Sequence, residues 1–318
     1  MDRIICYSVV LQNSARRPKL LRQIVASVRS LRAHNRSAPV HIFAYCDVAE
    51  LGEVKSLPDV TVHDRGSYEE RLAHSFGPGR QVLTGYPLLH KALNFDQIRR
   101  MSPRRVLLLD CDTFFFADVD ILFDSYAKAD CYARGYSCKR SPLGYSQDYL
   151  DEDLLGQLAC SEGMPTPLPF NSGALLLNHR VWERMDFESV FVSYIWRFAV
   201  WLALNEGQES GSTIDQTLGI KNFGNSIRSL STEEDIRRAM RFPSGNRWIL
   251  DEVALWFTVF RVPGFSYQSF EKNDVLLGSE FSGRHYRQTE SVLLHYYTVN
   301  FFHFLSWIQG NDLVFEND

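Results

Sequence analysis

Two carboxylates, Asp110 and Asp112, directly follow a short apolar run, Val106–Leu109. A continuous apolar run of this length is typical of a strand buried on both faces in a parallel sheet. Because side chains alternate along an extended chain, the two carboxylates would leave one face and Cys111 the other. Carboxylates this close repel each other unless a cation neutralises them, and the carboxyl end of a central strand is where open α/β sheets bind ligands. The pattern predicts a magnesium or manganese ion that also binds a diphosphate; the alternative is that the aspartates only cap the following turn.

The composition is that of an ordinary globular protein. The 318 residues are 45% hydrophobic and 23% charged, which is enough for one α/β domain or for a domain with an insertion. The net charge of −4 predicts no general attraction to nucleic acid. The first apolar segment is too short and too polar to target or span a membrane, so we expect a cytoplasmic protein with no transmembrane segment. The six cysteines have no metal-binding spacing and are expected to be reduced.

Strands and helices alternate along the first third of the chain. Residues 4–11, 40–45 and 60–63 have the patterns of strands. Apolar residues at helical spacing predict an amphipathic helix over 19–33, and a second helix is predicted over about 87–99. This alternation predicts a doubly wound, mostly parallel sheet flanked by helices.

Two longer segments resemble a known family. Asp110–Asp124, DCDTFFFADVDILFD, is similar to the block "DADT, apolar run, NIDxLFD" of the glycogenin-like family 8 glycosyltransferases. Pro169–Asn178, PFNSGALLLN, is similar to the "FNSG, apolar run, N" motif of the same family. The resemblance implies the GT-A fold, which is α/β, and a metal-dependent, retaining transfer of a sugar from a nucleotide-diphosphate donor such as a UDP-sugar to an unidentified acceptor. The cofactor that it implies is Mn²⁺, or Mg²⁺ in its place.

The resemblance also implies the residues of a donor site. Asp110 and Asp112 would bind the metal together with His295, which opens a segment similar to the family's HxxGxxKPW block. Imidazole is a good ligand for manganese beside two carboxylates. The rest of that block is not kept, since Phe301 stands where the family has a lysine that contacts the diphosphate. The residues expected to bind the nucleotide sugar are Asn13, Lys91, Asp110, Asn171 and Ser172.

Two pairs compete for the catalytic position that follows the NSG turn. Asp215 and Gln216 match the Asp-Gln letters of the family. Asp251 and Glu252 match the context, a helix start at the family's interval from the histidine, and we favour them. If Asp251 and Glu252 are the catalytic pair, residues 183–246 are expected to be a helical insertion in a single domain. The structural alternative for the pair is that acidic residues are favourable at a helix N-terminus.

Apolar residues at helical spacing over 187–204 predict a helix that is apolar on nearly all of its sides. Such a helix is buried in the domain, contacts a second copy in a homodimer, or docks on a membrane surface. The sequence alone leaves these three alternatives open.

Two other functions remain open at this point. The chain would be a sugar-nucleotide-binding protein without catalysis if it kept only the fold. A haloacid-dehalogenase-like phosphatase also uses a strand-end DxD, but it needs Thr or Val where this chain has Phe114.

Overall fold

The computed structural model describes residues 2–11, 17–76, 91, 93–135, 159–160, 163–183, 187, 189–191, 193–194, 250–261, 264–278 and 291–296. Its strands are β1 (Arg3–Val10), β2 (Val40–Tyr45), β3 (Val60–Asp64), β4 (Arg105–Leu109), β5 (Thr113–Phe115), β6 (Cys131–Gly135), β7 (Phe170–Asn178), β8 (Tyr267–Ser269), β9 (Val275–Leu277) and β10 (Leu293–His295). Its helices are α1 (Arg17–His34), α2 (Gly52–Lys55), α3 (Tyr68–Phe76), α4 (Phe95–Met101), α5 (Asp120–Ser125), α6 (Arg180–Glu183) and α7 (Leu250–Phe260). A 3₁₀ turn, Val48–Leu51, precedes α2.

Seven of these strands form one sheet in the order β3-β2-β1-β4-β7-β6-β8. The pairs β3–β2, β2–β1, β1–β4 and β6–β8 are parallel, whereas β7 runs antiparallel to both of its neighbours. The predicted α/β class with a mostly parallel sheet is therefore confirmed. The strands β5, β10 and β9 form a second, three-stranded sheet.

The central strands β1 and β4 are apolar because they are covered on both faces. Residues 4–10 of β1 and 106–109 of β4 are all buried, as parallel strands between two layers require. The register pairs Tyr7 with Leu109, so the two strands end at the same edge of the sheet. Asp110 and Asp112 follow β4 at that edge, as predicted from the sequence.

The reversed strand β7 brings the NSG turn to the same edge. Because β7 is antiparallel to β4, its beginning lies beside the end of β4, and Ala174 pairs with Leu109. One residue further, the backbone N–H of Asp110 donates to the carbonyl of Gly173 at 2.9 Å. The two motifs of the sequence are therefore adjacent although they are far apart along the chain.

Helix α1 fastens the turn that carries the two aspartates. The hydroxyl of Thr113 donates to the carbonyl of Asp110 at 2.9 Å, so its oxygen accepts from Ser27, 2.8 Å away. Ser27 in turn accepts from the hydroxyl of Tyr7 at 2.9 Å. The hydroxyl of Ser30 accepts from the backbone N–H of Phe115 in β5 at 3.0 Å. These buried bonds hold the turn between β4 and β5 against the helix.

Of the predicted helix over 87–99, residues 87–90 lie outside the described residues, Lys91 lies in a 3₁₀ turn, and α4 begins at Phe95. Asn94 accounts for this boundary. Its amide accepts from the hydroxyl of Tyr45 and donates to that of Ser8, both at 2.8 Å. Asn is favoured before a helix rather than inside it, and these bonds tie the segment to the ends of β1 and β2.

The apolar segment 187–204 is described only at its beginning. Phe187, Phe191 and Tyr194 are buried there, and the ring of Phe187 stacks on Phe95 of α4. Burial in the domain therefore accounts for this part of the segment. Among the residues that the structure describes, no helix has the length and hydropathy needed to cross a membrane.

Candidate active site

The three predicted metal ligands converge at the edge of the sheet where β4 ends. Asp110, Asp112 and His295 each present a ligand atom, and these atoms lie within 4.8 Å of one another. The His295 Nε2 atom is 3.2 Å from Asp112 Oδ1 and 3.5 Å from Asp110 Oδ2. The carboxylates are a quarter exposed, whereas the imidazole is buried. The cluster is thus open to a ligand on its carboxylate side.

The small sheet places His295 in this cluster. Strand β10 pairs with β5 so that His295 is opposite Thr113, one residue beyond Asp112. The backbone N–H of Tyr296 then donates to the carbonyl of Asp112 at 3.0 Å. Cys111 points the other way and donates its thiol to the carbonyl of Ser8 at 3.5 Å. This alternation agrees with the prediction that the two aspartates share one face.

The donor set suits a hard divalent cation. Burial alone would raise the pKa of Asp112, but the charge of His295 and its hydrogen bond outweigh burial and lower the pKa below its ordinary value. Asp112 is therefore ionised at neutral pH. Two carboxylate oxygens and one imidazole nitrogen are ligands that manganese accepts, and magnesium accepts the oxygens. Asp110, Asp112 and His295 would hold such an ion.

Lys91 lies beside the cluster and is buried. Its Nζ atom is 2.7 Å from Asp110 Oδ1, and it donates to the carbonyl and to the hydroxyl of Ser172 at 2.9 and 3.0 Å. An ammonium has three donors, and these contacts use all three. Lys91 is thus placed within the predicted donor site, where it neutralises Asp110 and fixes the NSG turn. Its predicted contact with the nucleotide sugar stays a prediction.

Glu252 joins the NSG turn from helix α7. Its Oε1 atom accepts from the backbone N–H of Ser172 at 2.9 Å and from Asn171 Nδ2 at 3.2 Å. The amide of Asn171 also faces His295, with Asn171 Oδ1 2.7 Å from His295 Nδ1. One residue, Asn171, therefore connects the metal cluster to the acidic pair that the sequence favours. The catalytic role of Glu252 remains a prediction.

The apolar body of α7 explains how Glu252 is held. Residues 254–259 are buried, so the helix is inserted in the domain and only its first turn reaches the site. Trp256 donates its indole N–H to the carbonyl of Phe170 at 2.7 Å, which fixes the helix to the beginning of β7. The Phe170 and Trp256 rings also contact each other at 6.1 Å between centroids.

Four predicted site residues cannot be placed in this cluster. Asn13, Asp215 and Gln216 lie outside the described residues. Asp251 is described only through its backbone, in the first turn of α7.

The structure adds one site residue that the sequence reasoning did not single out. Gly173 packs against the imidazole of His295, and a Cβ atom at this position would lie 2.0 Å from the Nδ1 and Cε1 atoms of that ring. The sequence shows the glycine in the NSG motif but not why a glycine is required there, because the histidine that it contacts comes from a distant segment.

Other acidic residues of the first motif serve the fold. Asn35 donates to Asp118 at 2.7 Å and to Asp120 at 3.2 Å, and Arg3 pairs with Asp120 and Asp124. These contacts fasten α5 to the end of α1 and to the beginning of β1. The second half of the motif therefore attaches α5 to the rest of the fold and lies apart from the metal cluster.

The comparisons with known proteins concern the fold. No protein-family model matches the chain, and no curated protein matches it. Among solved structures, mouse xyloside xylosyltransferase 1 is similar, with 14% identity, a TM-score of 0.49, and coverage of 93% of this chain and 97% of that one. An active-site mutant of LgtC is similar at 12% identity and a TM-score of 0.46, with coverage of 93% and 87%.

The galactosyltransferase LgtC in complex with donor and acceptor sugar analogues is similar at 13% identity and a TM-score of 0.43, again with coverage of 93% and 87%. All three are glycosyltransferases by name, which is the class of protein that the sequence resembles. At these identities and TM-scores the likeness describes the course of the backbone.

Proposed function

We propose that the chain is a metal-dependent glycosyltransferase that transfers a sugar from a nucleotide-diphosphate donor, with a UDP-sugar as the expected donor, to an acceptor with retention of configuration. The observation that carries this proposal is the convergence of Asp110, Asp112 and His295 at the carboxyl end of a central strand. Two carboxylates and an imidazole at a sheet edge are suited to a divalent ion that binds a diphosphate.

The bound ion, Mn²⁺ or Mg²⁺, would supply positive charge to the diphosphate as it leaves. The chain's own residues prepare that site. Asp110 and Asp112 are held by the β4–β5 turn, and Lys91 balances part of their charge from 2.7 Å. Because these groups are fixed before the donor arrives, little reorganisation is needed in the transition state.

The acidic pair is proposed to act on the sugar. In the transfer, the bond between the anomeric carbon and the diphosphate oxygen breaks and its electron pair leaves with the diphosphate. The acceptor oxygen forms the new bond and loses its proton to the departing phosphate. The carboxylate of Glu252, held by Ser172 and Asn171, is proposed to have one of two roles. It is either the nucleophile of a first displacement, whose bond to the anomeric carbon breaks when the acceptor oxygen attacks and returns the electron pair to the carboxylate, or the charge that stabilises an oxocarbenium-like carbon.

Glu252→Gln tests this role because it removes the charge and keeps an oxygen that accepts from Ser172. We expect kcat for transfer to fall by about 10²-fold or more, since both proposed roles need the negative charge. The affinity for the donor and the melting temperature should stay close to those of the unchanged protein. The measurements are initial rates of nucleotide release and a donor titration by calorimetry.

Asp215 and Gln216 provide the comparison for this experiment. If Glu252→Gln keeps its full rate while Asp215→Asn loses it, the catalytic role belongs to the alternative pair. The metal site and the class of reaction would be unaffected by that outcome.

The proposed function itself is tested with nucleotide sugars and manganese. We expect Mn²⁺ together with a UDP-sugar to raise the melting temperature more than either alone, because a ligand that binds only the native state stabilises it. We also expect slow Mn²⁺-dependent hydrolysis of that donor. Binding without hydrolysis or transfer to any acceptor would indicate a sugar-nucleotide-binding protein, and no response to any nucleotide sugar would contradict the proposal.

A further inference from the structure

The side chain of Asn171 is buried and makes three contacts with polar groups of the protein. Its Oδ1 atom accepts from the backbone N–H of Gly173 at 3.0 Å and lies 2.7 Å from His295 Nδ1. Its Nδ2 atom donates to Glu252 at 3.2 Å. Its predicted contact with sugar hydroxyls stays a prediction, and these contacts direct both ends of its amide to the protein.

Two of these contacts determine which way the amide points. A backbone N–H can only donate, so the atom that faces Gly173 is the oxygen. A carboxylate only accepts, so the atom that faces Glu252 is the nitrogen. Both contacts agree on one orientation. The oxygen is therefore the atom that faces His295.

This orientation also determines where the imidazole carries its proton. An amide oxygen cannot donate, so the contact of 2.7 Å requires a proton on His295 Nδ1. An imidazole binds a metal ion through a deprotonated nitrogen, so when the proton is on Nδ1 the other nitrogen is the one that can bind the ion. That nitrogen, Nε2, is the one that faces Asp110 and Asp112. Nε2 is thus placed to bind an ion together with the two carboxylates.

We propose that Asn171 is a positioning residue, which accepts from the Nδ1–H of His295 so that Nε2 is the nitrogen that binds the cation, and which ties Glu252 to the same strand. The inference rests on the proposed metal site and names a residue that acts on it through His295. Hydrogen bonds to the second nitrogen of a ligating histidine set its tautomer and orientation, and their loss lowers metal affinity by about 10- to 100-fold.

Two substitutions separate the contact of the amide with His295 from its contact with Glu252. Asn171→Ala removes the acceptor for His295 and the donor to Glu252, so we expect Mn²⁺ to bind about 10- to 100-fold more weakly. Asn171→Asp keeps an acceptor for the Nδ1 proton but has no donor for Glu252 and places a like charge beside it. We expect this variant to bind Mn²⁺ within about threefold of the unchanged protein and to lose turnover. Calorimetry with Mn²⁺ alone gives the affinities.

Nitrogen NMR of the ¹⁵N-histidine-labelled full chain, loaded with diamagnetic Zn²⁺, which accepts both imidazole and carboxylate ligands, reports the tautomer directly. The His295 signals are identified by their absence from His295→Ala. We expect a protonated Nδ1 in the unchanged protein and in Asn171→Asp, and loss of that single tautomer in Asn171→Ala. A general structural weakening does not change which nitrogen carries the proton, so this readout is specific to positioning.

Asn178→Ala is the matched control, because Asn178 is on the same strand and its amide donates to Asp130, away from the cluster. It should keep the Mn²⁺ affinity even if it melts earlier. The inference is overturned if Asn171→Ala binds Mn²⁺ as tightly as the unchanged protein, or if Asn171→Asp binds as weakly as Asn171→Ala. If the unchanged protein binds no Mn²⁺ at all, the proposed metal site fails as well, which is a different result.

Discussion

Asp112→Asn is expected to abolish the response to Mn²⁺ and to lower the rate of donor cleavage by about 10³-fold. A metal ion supplies several kcal/mol of charge stabilisation to a leaving group, and each ~1.4 kcal/mol is a factor of ten in rate. The amide has nearly the shape of the carboxylate, so the fold should not change. It cannot replace the charge that Asp112, with its lowered pKa, presents to a cation at neutral pH.

The measurement is the melting temperature with and without Mn²⁺, followed by the rate of nucleotide release. Asp124→Asn is the matched control: it is the same chemical change in a carboxylate of the same motif, which pairs with Arg3 and lies apart from the metal cluster. This control should keep both the Mn²⁺ response and the rate. If Asp112→Asn also keeps them, the ion binds elsewhere or is not needed.

Gly173→Ala is expected to remove the metal site by displacing one of its ligands. The added Cβ would lie 2.0 Å from the Nδ1 and Cε1 atoms of His295, far inside van der Waals contact. The imidazole is buried and bonded to Asn171, and the strand is tied to Asp110 through the Gly173 carbonyl, so neither side yields easily. We expect at least about 10²-fold weaker Mn²⁺ binding and a loss of about 1–3 kcal/mol in the free energy of unfolding.

A double substitution identifies the origin of that loss. His295→Ala removes the ring, so adding Gly173→Ala to it should cost little further stability, while Mn²⁺ binding stays absent in both. The coupling between the two positions is obtained from urea unfolding of the four proteins. Additive losses would mean that the alanine clashes with something other than the imidazole.

The strand that carries the aspartates was predictable because its signals are local. The run Val106–Leu109 is apolar without interruption and is followed by two carboxylates. The sequence therefore marks where the buried strand ends and the exposed edge begins. The same holds for β1, β2 and α1. The family resemblance then added His295, which periodicity does not single out.

The direction of β7 could not be predicted in this way. An apolar run has the same pattern in either direction, yet it is the antiparallel pairing of β7 with β4 that brings Gly173 to Asp110. The purpose of Gly173 and the bonding of Asn171 also depend on His295, whose position follows from the pairing of β10 with β5. Such relations between distant residues are set by tertiary pairing, and a single sequence does not show them.

The pairing of β10 with β5 also has a consequence for the order in which the protein becomes functional. Asp112 and His295 are separated by more than 180 residues of chain, and this pairing brings them together. The entropy cost of closing such a loop is met by the contacts that form once both segments are in place. The parallel pairing of β1, β2 and β4 needs no residue beyond Leu109, so that layer can form first. Mn²⁺ binding requires both segments, so we expect its appearance during refolding to report the pairing of β10 with β5.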